Sequence, residues 1–149
     1  MLNELSYKLL VRPGSTGSTS TTARTSADFH IDGESLLRTI VKQHGGHGDF
    51  MGALVRGYPE SQADVARQLT LQGAPESDSG RVLLYICPEC GDIGCGAYSV
   101  KVSRDQRTYT WGDFAYENGY ENPRLLETVG PFVFEAIQYE TAVESASAL

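Results

Sequence analysis

Apolar and polar positions along the chain divide it into short strands and amphipathic helices. Residues 5–11, LSYKLLV, set Tyr7, Leu9 and Val11 against Lys8, Leu10 and Arg12, the period-two pattern of a strand, and Pro13 ends it. A second strand is predicted over 27–31, ADFHI. Asp32 or Gly33 then caps a helix over 34–44, where Leu36, Leu37, Ile40, Val41 and His44 share one face, and Gly45 and Gly46 stop it. Pro59 predicts the start of another helix through Ala63, Ala66 and Leu69. APESDSG is a turn. RVLLYIC is a continuous apolar run, as in a central strand buried on both faces. AYSVKVS places Tyr98, Val100 and Val102 on one face, RDQR turns the chain, and TYTWGDF places Tyr109 and Trp111 on one face. Together they predict an antiparallel meander around residues 81–114. GPFVF is a short apolar segment, and EAIQYETAVESA predicts a last helix packing through Ile137, Tyr139, Ala142 and Val143.

The expected fold is therefore α+β: a single domain over residues 1–149, with an antiparallel sheet and two or three helices. The stretch between the first two strands, rich in Ser, Thr and Gly, reads as a flexible loop over 13–26.

Length and charge narrow the picture. A chain of 149 residues supports one modest core. Its net charge of −7 is unevenly spread: residues 111–149 carry one Lys or Arg against seven Asp or Glu. Such a surface repels nucleic acid and anionic lipid and attracts a basic protein; the same acidity also serves solubility. No apolar run approaches a membrane span. MLNELSYKLLVRPG has Glu4 and lacks the basic start and long apolar segment of a secretory signal. A cytoplasmic location is expected, where thiols stay reduced and a structural disulfide is not anticipated.

All three cysteines lie in YICPECGDIGCGAYSV. Cys87 and Cys90, with Pro88 between and Gly91 after, have the shape of a zinc knuckle, and Cys95 supplies a third thiolate. The fourth ligand is not local: His44 and His47 are upstream, and Asp92 is a poor donor for a soft site. A redox dithiol usually sits where a helix N-terminus lowers its pKa. Here a glycine turn feeds a strand, and Glu89 and Asp92 oppose thiolate formation. The same cysteines also suit a packed hairpin corner without metal. Zinc is thus the one candidate cofactor.

The second constellation is WGDFAYENGYEN. Trp111, Phe114, Tyr116 and Tyr120 interleave with Asp113, Glu117 and Glu121. Amphipathic aromatics are typical interface anchors, and carboxylates among them grip Arg or Lys of a partner. Paired-carboxylate catalysis by Asp113 and Glu117 lacks a positioning group nearby; the alternative is that the aromatics belong to the core and the acids face water. No phosphate-binding glycine loop, nucleophile elbow or helical zinc-hydrolase pair is present, and His44 and His47 sit in a glycine-rich stretch.

Over residues 81–143 the chain resembles a group of small bacterial proteins. They share a Cys-rich glycine turn after an apolar strand (here Cys87, Cys90, Gly91, Gly94 and Cys95), a Trp-x-x-Phe segment (Trp111 and Phe114), and a Gly-Pro-Phe-x-Phe ending before a Gln-Tyr helix (Gly130, Pro131, Phe132, Phe134, Gln138 and Tyr139). Some are called oxidoreductases, and many carry Cys-x-Cys in place of Cys-x-x-Cys. The resemblance implies no particular activity and carries over no catalytic residue. From size, acidity and the aromatic–acidic strip, the expected function is non-enzymatic: an immunity or antitoxin protein that neutralises a basic, secreted bacterial toxin. Trp111, Asp113, Phe114, Tyr116, Glu117, Tyr120 and Glu121 are its expected contact residues, and neither nucleic acid nor membrane is an expected partner. The alternative is a small zinc-binding or thiol-dependent enzyme centred on Cys87, Cys90 and Cys95.

Overall fold

A computed structural model describes residues 2–17 and 20–149. The fold is α+β, with two antiparallel sheets and three α-helices among the described residues. The smaller sheet has the order β1 (Leu5–Arg12), β2 (Arg24–Ile31), β3 (Glu34–Ser35). The larger runs β4 (Met51–Gly52), β5 (Val82–Ile86), β6 (Ala97–Arg104), β7 (Thr108–Glu117), β8 (Arg124–Leu125), and β9 (Phe132–Glu135) also pairs with β7. The helices are α1 (Leu36–His44), α2 (Pro59–Leu69) and α3 (Ala136–Ser147). The expected meander is β5–β6–β7, and β5 is buried along its whole length.

The two sheets are stitched together where residues 52–56 cross β2. Ala27 N donates to Leu54 O at 3.0 Å, Arg56 N to Thr25 O at 2.8 Å, and Gly52 N to the Ser26 hydroxyl at 3.0 Å. A Cβ at Gly52 would collide with the Ala27 carbonyl, so only glycine permits this approach. The core fills the space between the sheets and helices. Trp111 is at its centre, meeting Phe29, Phe134 and Tyr139 edge-on at 5.3–5.9 Å between ring centroids. Its indole N–H donates to Tyr139 Oη at 2.9 Å, and Tyr139 donates to Leu69 O at 2.7 Å. Gln138 reads the backbone of Leu5 in both directions, accepting from its N–H at 3.0 Å and donating to its carbonyl at 2.6 Å.

Several local expectations shift. Asp32 and Gly33 do not cap α1; both have positive φ and form the two-residue turn between β2 and β3. Asp32 accepts from Asn3 Nδ2 and Glu4 N at 2.7 and 2.8 Å, which lowers its pKa. Ser35 caps α1 instead, accepting from Arg38 N. On α2 the buried face is Gln62, Val65, Gln68 and Leu69, whereas Ala63 faces outward. On α3 Ile137 is exposed while Tyr139 and Val143 are buried. Of the segment read as a flexible loop over 13–26, residues 24–26 belong to β2 and Ser15 bridges Thr21, while Ser18 and Thr19 lie outside the described residues. Among the described residues no helix is long and apolar enough to cross a membrane.

Candidate functional site

The cysteine turn joins β5 to β6. Cys87 leaves β5 partly buried against the core, and its carbonyl accepts from Gly91 N at 2.9 Å. Gly91 and Gly96 have φ of 69° and 97°, values that favour glycine. Between them Asp92 caps a single 3-10 turn, Ile93–Cys95, accepting from Gly94 N at 2.8 Å. This folding back brings the three Sγ atoms within 4.8 Å of one another, close enough for one metal ion to collect them. It also pairs Cys90 with Cys95 in a disulfide, at a Cα separation of 6.4 Å, and leaves Cys87 free. The expectation that all three thiols stay reduced is thereby corrected: the glycine turn returns Cys95 to Cys90 within bridging range.

The turn is clamped from outside by the β1–β2 hairpin. Arg12 Nη1 reaches Glu89 Oε1 at 2.6 Å, Thr22 N and Thr22 Oγ1 donate to the same carboxylate at 2.8 and 3.0 Å, and Arg24 Nε donates to Pro88 O at 3.1 Å. The Thr22 amide, with the Arg12 and Thr22 side chains, holds the Glu89 carboxyl down to about 2. Neither His44 nor His47 joins the cysteines. His44 Nε2 lies 2.7 Å from the Thr128 hydroxyl, and His47 stacks between Phe50 and Tyr116 at 4.5 and 5.1 Å.

The other side of the cysteine turn rests on the end of β7 and the connection after it. A Cβ at Gly96 would sit 2.5 Å from Tyr116 Oη, and one at Gly119 would touch Ile93 at 3.5 Å. Ile93 also lines a cleft of about 450 Å³ together with Glu76, Asp78, Glu117 and Glu121. No Lys, Arg or His is among its lining residues. Glu117 is its floor, 4% exposed, and accepts from Ser77 at 2.5 Å, Ser79 at 2.8 Å and Ser99. Those hydroxyls satisfy the carboxylate without neutralising it.

The strip from Trp111 to Glu121 is thus divided. Trp111 and Phe114 are 0% and 1% exposed and belong to the core, not to the accessible surface. The cause is a bulge: Lys101 pairs Gly112 while Ser99 pairs Ala115, and Asp113 takes a positive φ of 46°. The extra residue shifts the side-chain phase and turns Phe114 to the face Trp111 already occupies. Tyr116 is half-buried between His47 and Arg124, whose guanidinium lies 5.5 Å from the ring. Asp113, Tyr120 and Glu121 are exposed, Tyr120 to 84%. Asp113 opens onto a different depression, with Leu125, Glu127 and Pro131. Glu76, Asp78, Ser77, Ser79 and Ser99 were not anticipated. The alternating acid–serine run at 76–79 was the local signal for the first four, and it reads equally as a turn; Ser99, on β6, had none.

Comparison of the chain with family models, with curated proteins and with solved structures finds no match.

Proposed function

We propose that this protein is a non-enzymatic binding protein that captures a basic protein partner, acting as an immunity or antitoxin protein against a secreted bacterial toxin. The observation that carries the reading is the cleft lined by Glu76, Asp78, Glu117 and Glu121, with no cation in its lining and the exposed Tyr120 beside it. A Lys or Arg side chain entering it exchanges water for fixed carboxylates, and the surrounding negative field speeds the encounter. The contact set narrows to Glu76, Asp78, Glu121 and Tyr120 at the surface with Glu117 behind them. The partner is a protein rather than nucleic acid or membrane, and the setting is the cytoplasm.

The test is co-expression with a candidate toxin, sought among proteins encoded beside this chain, read by growth rescue and by association rate against salt. With Asp78→Lys and Glu121→Lys combined, association slows about tenfold or more at low salt and much less at high salt. An unchanged rate overturns the reading.

A second reading, a zinc-binding or thiol-dependent enzyme, is favoured by one observation: the three cysteine sulfurs lie within 4.8 Å of one another. Replacing Cys87, Cys90 and Cys95 together by Ser separates the two. Retained fold and partner binding support the binding protein, whereas retained fold with lost turnover supports the enzyme.

A further inference from the structure

We propose that Cys87, Cys90 and Cys95 form a thiol-gated metal site that takes one Zn²⁺-like ion only after the Cys90–Cys95 disulfide is opened. The inference does not depend on the partner. A disulfide has no thiolate to offer a metal, so the paired state leaves Cys87 as a single soft donor. Reduction by an external dithiol gives both cysteines back as thiols, and the dithiol leaves as its own disulfide. Three thiols then bind Zn²⁺ as thiolates and release three protons.

The geometry suits that exchange. Two thiolates on one tetrahedral zinc stand roughly 3.8 Å apart, from bonds of about 2.3 Å. The three sulfurs already lie within 4.8 Å of one another, so closing on the ion requires only side-chain movement. The backbone does not depend on the disulfide to hold this shape. Gly91 N bonds to Cys87 O, Asp92 caps the 3-10 turn, and Glu89 and Pro88 are anchored to Arg12, Thr22 and Arg24. Among the described residues no fourth His, Asp or Glu joins the group, and His44 and His47 are engaged elsewhere. The fourth position is therefore left to water or to an incoming ligand, as in zinc sites built from three protein donors.

The test compares the disulfide form with phosphine-reduced, anaerobic protein, titrating Zn²⁺ against a chromophoric chelator and Co²⁺ as a spectroscopic probe. The expected result is one ion per chain in the reduced form only, with thiolate-to-cobalt charge-transfer absorption. Cys87→Ser keeps the Cys90–Cys95 pair, yet its reduced form should bind Zn²⁺ about a hundredfold more weakly. Far-UV circular dichroism of the reduced, metal-free chain should match that of the disulfide form. Equal binding by the disulfide form, unchanged affinity in Cys87→Ser, no ion bound at micromolar Zn²⁺, or unfolding on reduction would each overturn the proposal.

Discussion

Glu89 receives the Thr22 N–H at 2.8 Å and the Thr22 hydroxyl at 3.0 Å, so one carboxylate in the cysteine turn fastens the loop that leads into β2. Its pKa is held from 4.5 down to about 2, chiefly by the Thr22 amide and then by Arg12. A depressed folded-state pKa stabilises the anchored state fully above the unfolded value and loses that contribution as pH falls through the folded one. The Glu89 side-chain carbon resonance should titrate with a midpoint near 2, and the Thr22 amide proton should follow it. In Glu89→Gln the Thr22 amide should show no such step. A midpoint near 4.5 would contradict the anchor.

At Gly52 the two sheets approach closely. Its N–H donates to Ser26 while its Cα faces the Ala27 carbonyl. Gly52→Ala drives a methyl into backbone on β2, which cannot swing aside as a side chain would. The expected cost is about 3 kcal/mol or more, read as a lower denaturant midpoint. Gly33→Ala, at an open turn, should cost less, about 1 kcal/mol from its positive φ. Similar losses at both sites would refute the close-approach argument.

The core tyrosines separate packing from hydrogen bonding. Tyr139→Phe keeps the ring but leaves the Trp111 indole N–H and the Leu69 carbonyl without their partner, costing about 1–3 kcal/mol. Tyr109 donates to Glu140 at 2.6 Å, and burial followed by that carboxylate pushes its pKa up to about 12. Because the folded-state value is raised, its contribution is complete below pH 10 and is lost as pH rises toward 12. Absorbance titration should show one phenol ionising near 12 that disappears in Tyr109→Phe.

These residues also show how much the sequence discloses. The β5–β6–β7 meander was legible because RVLLYIC and AYSVKVS carry unbroken strand patterns. The Gln-Tyr pair was visible as a motif, though its work was not: Gln138 extends β1's hydrogen bonding, and Tyr139 closes the Trp111–Leu69 chain. Asp113 marks where reading failed. Alternation carried through the strand leaves Phe114 opposite Trp111, but a bulge adds one residue and places both in the core. Gly112 and Asp113 are residue types that suit a bulge, but where the register shifts depends on pairing with β6. Likewise Glu117 meets Ser77, Ser79 and Ser99 only through tertiary contact.

Glu117 supplies the sharpest division between stability and binding. Its carboxylate is buried, yet three serine hydroxyls rather than a cation satisfy it. Glu117→Gln keeps the shape, removes one charge from the cleft floor, and replaces an acceptor oxygen by an amide donor. The serine hydroxyls can rotate, but Ser77 Oγ already accepts from Ser79 N and Ser79 Oγ from Arg81 N, which limits their capacity to accept from the new amide. Stability should fall by about 1–3 kcal/mol, with the denaturant midpoint lowered and the slope unchanged. Glu121→Gln, exposed at the rim, should leave the midpoint within about 0.5 kcal/mol of the parent. Both variants remove one negative charge from the same cleft, so both should slow capture of a basic partner at low salt. A Glu117→Gln protein that loses stability yet associates at the parental rate would show that the buried carboxylate serves only the fold.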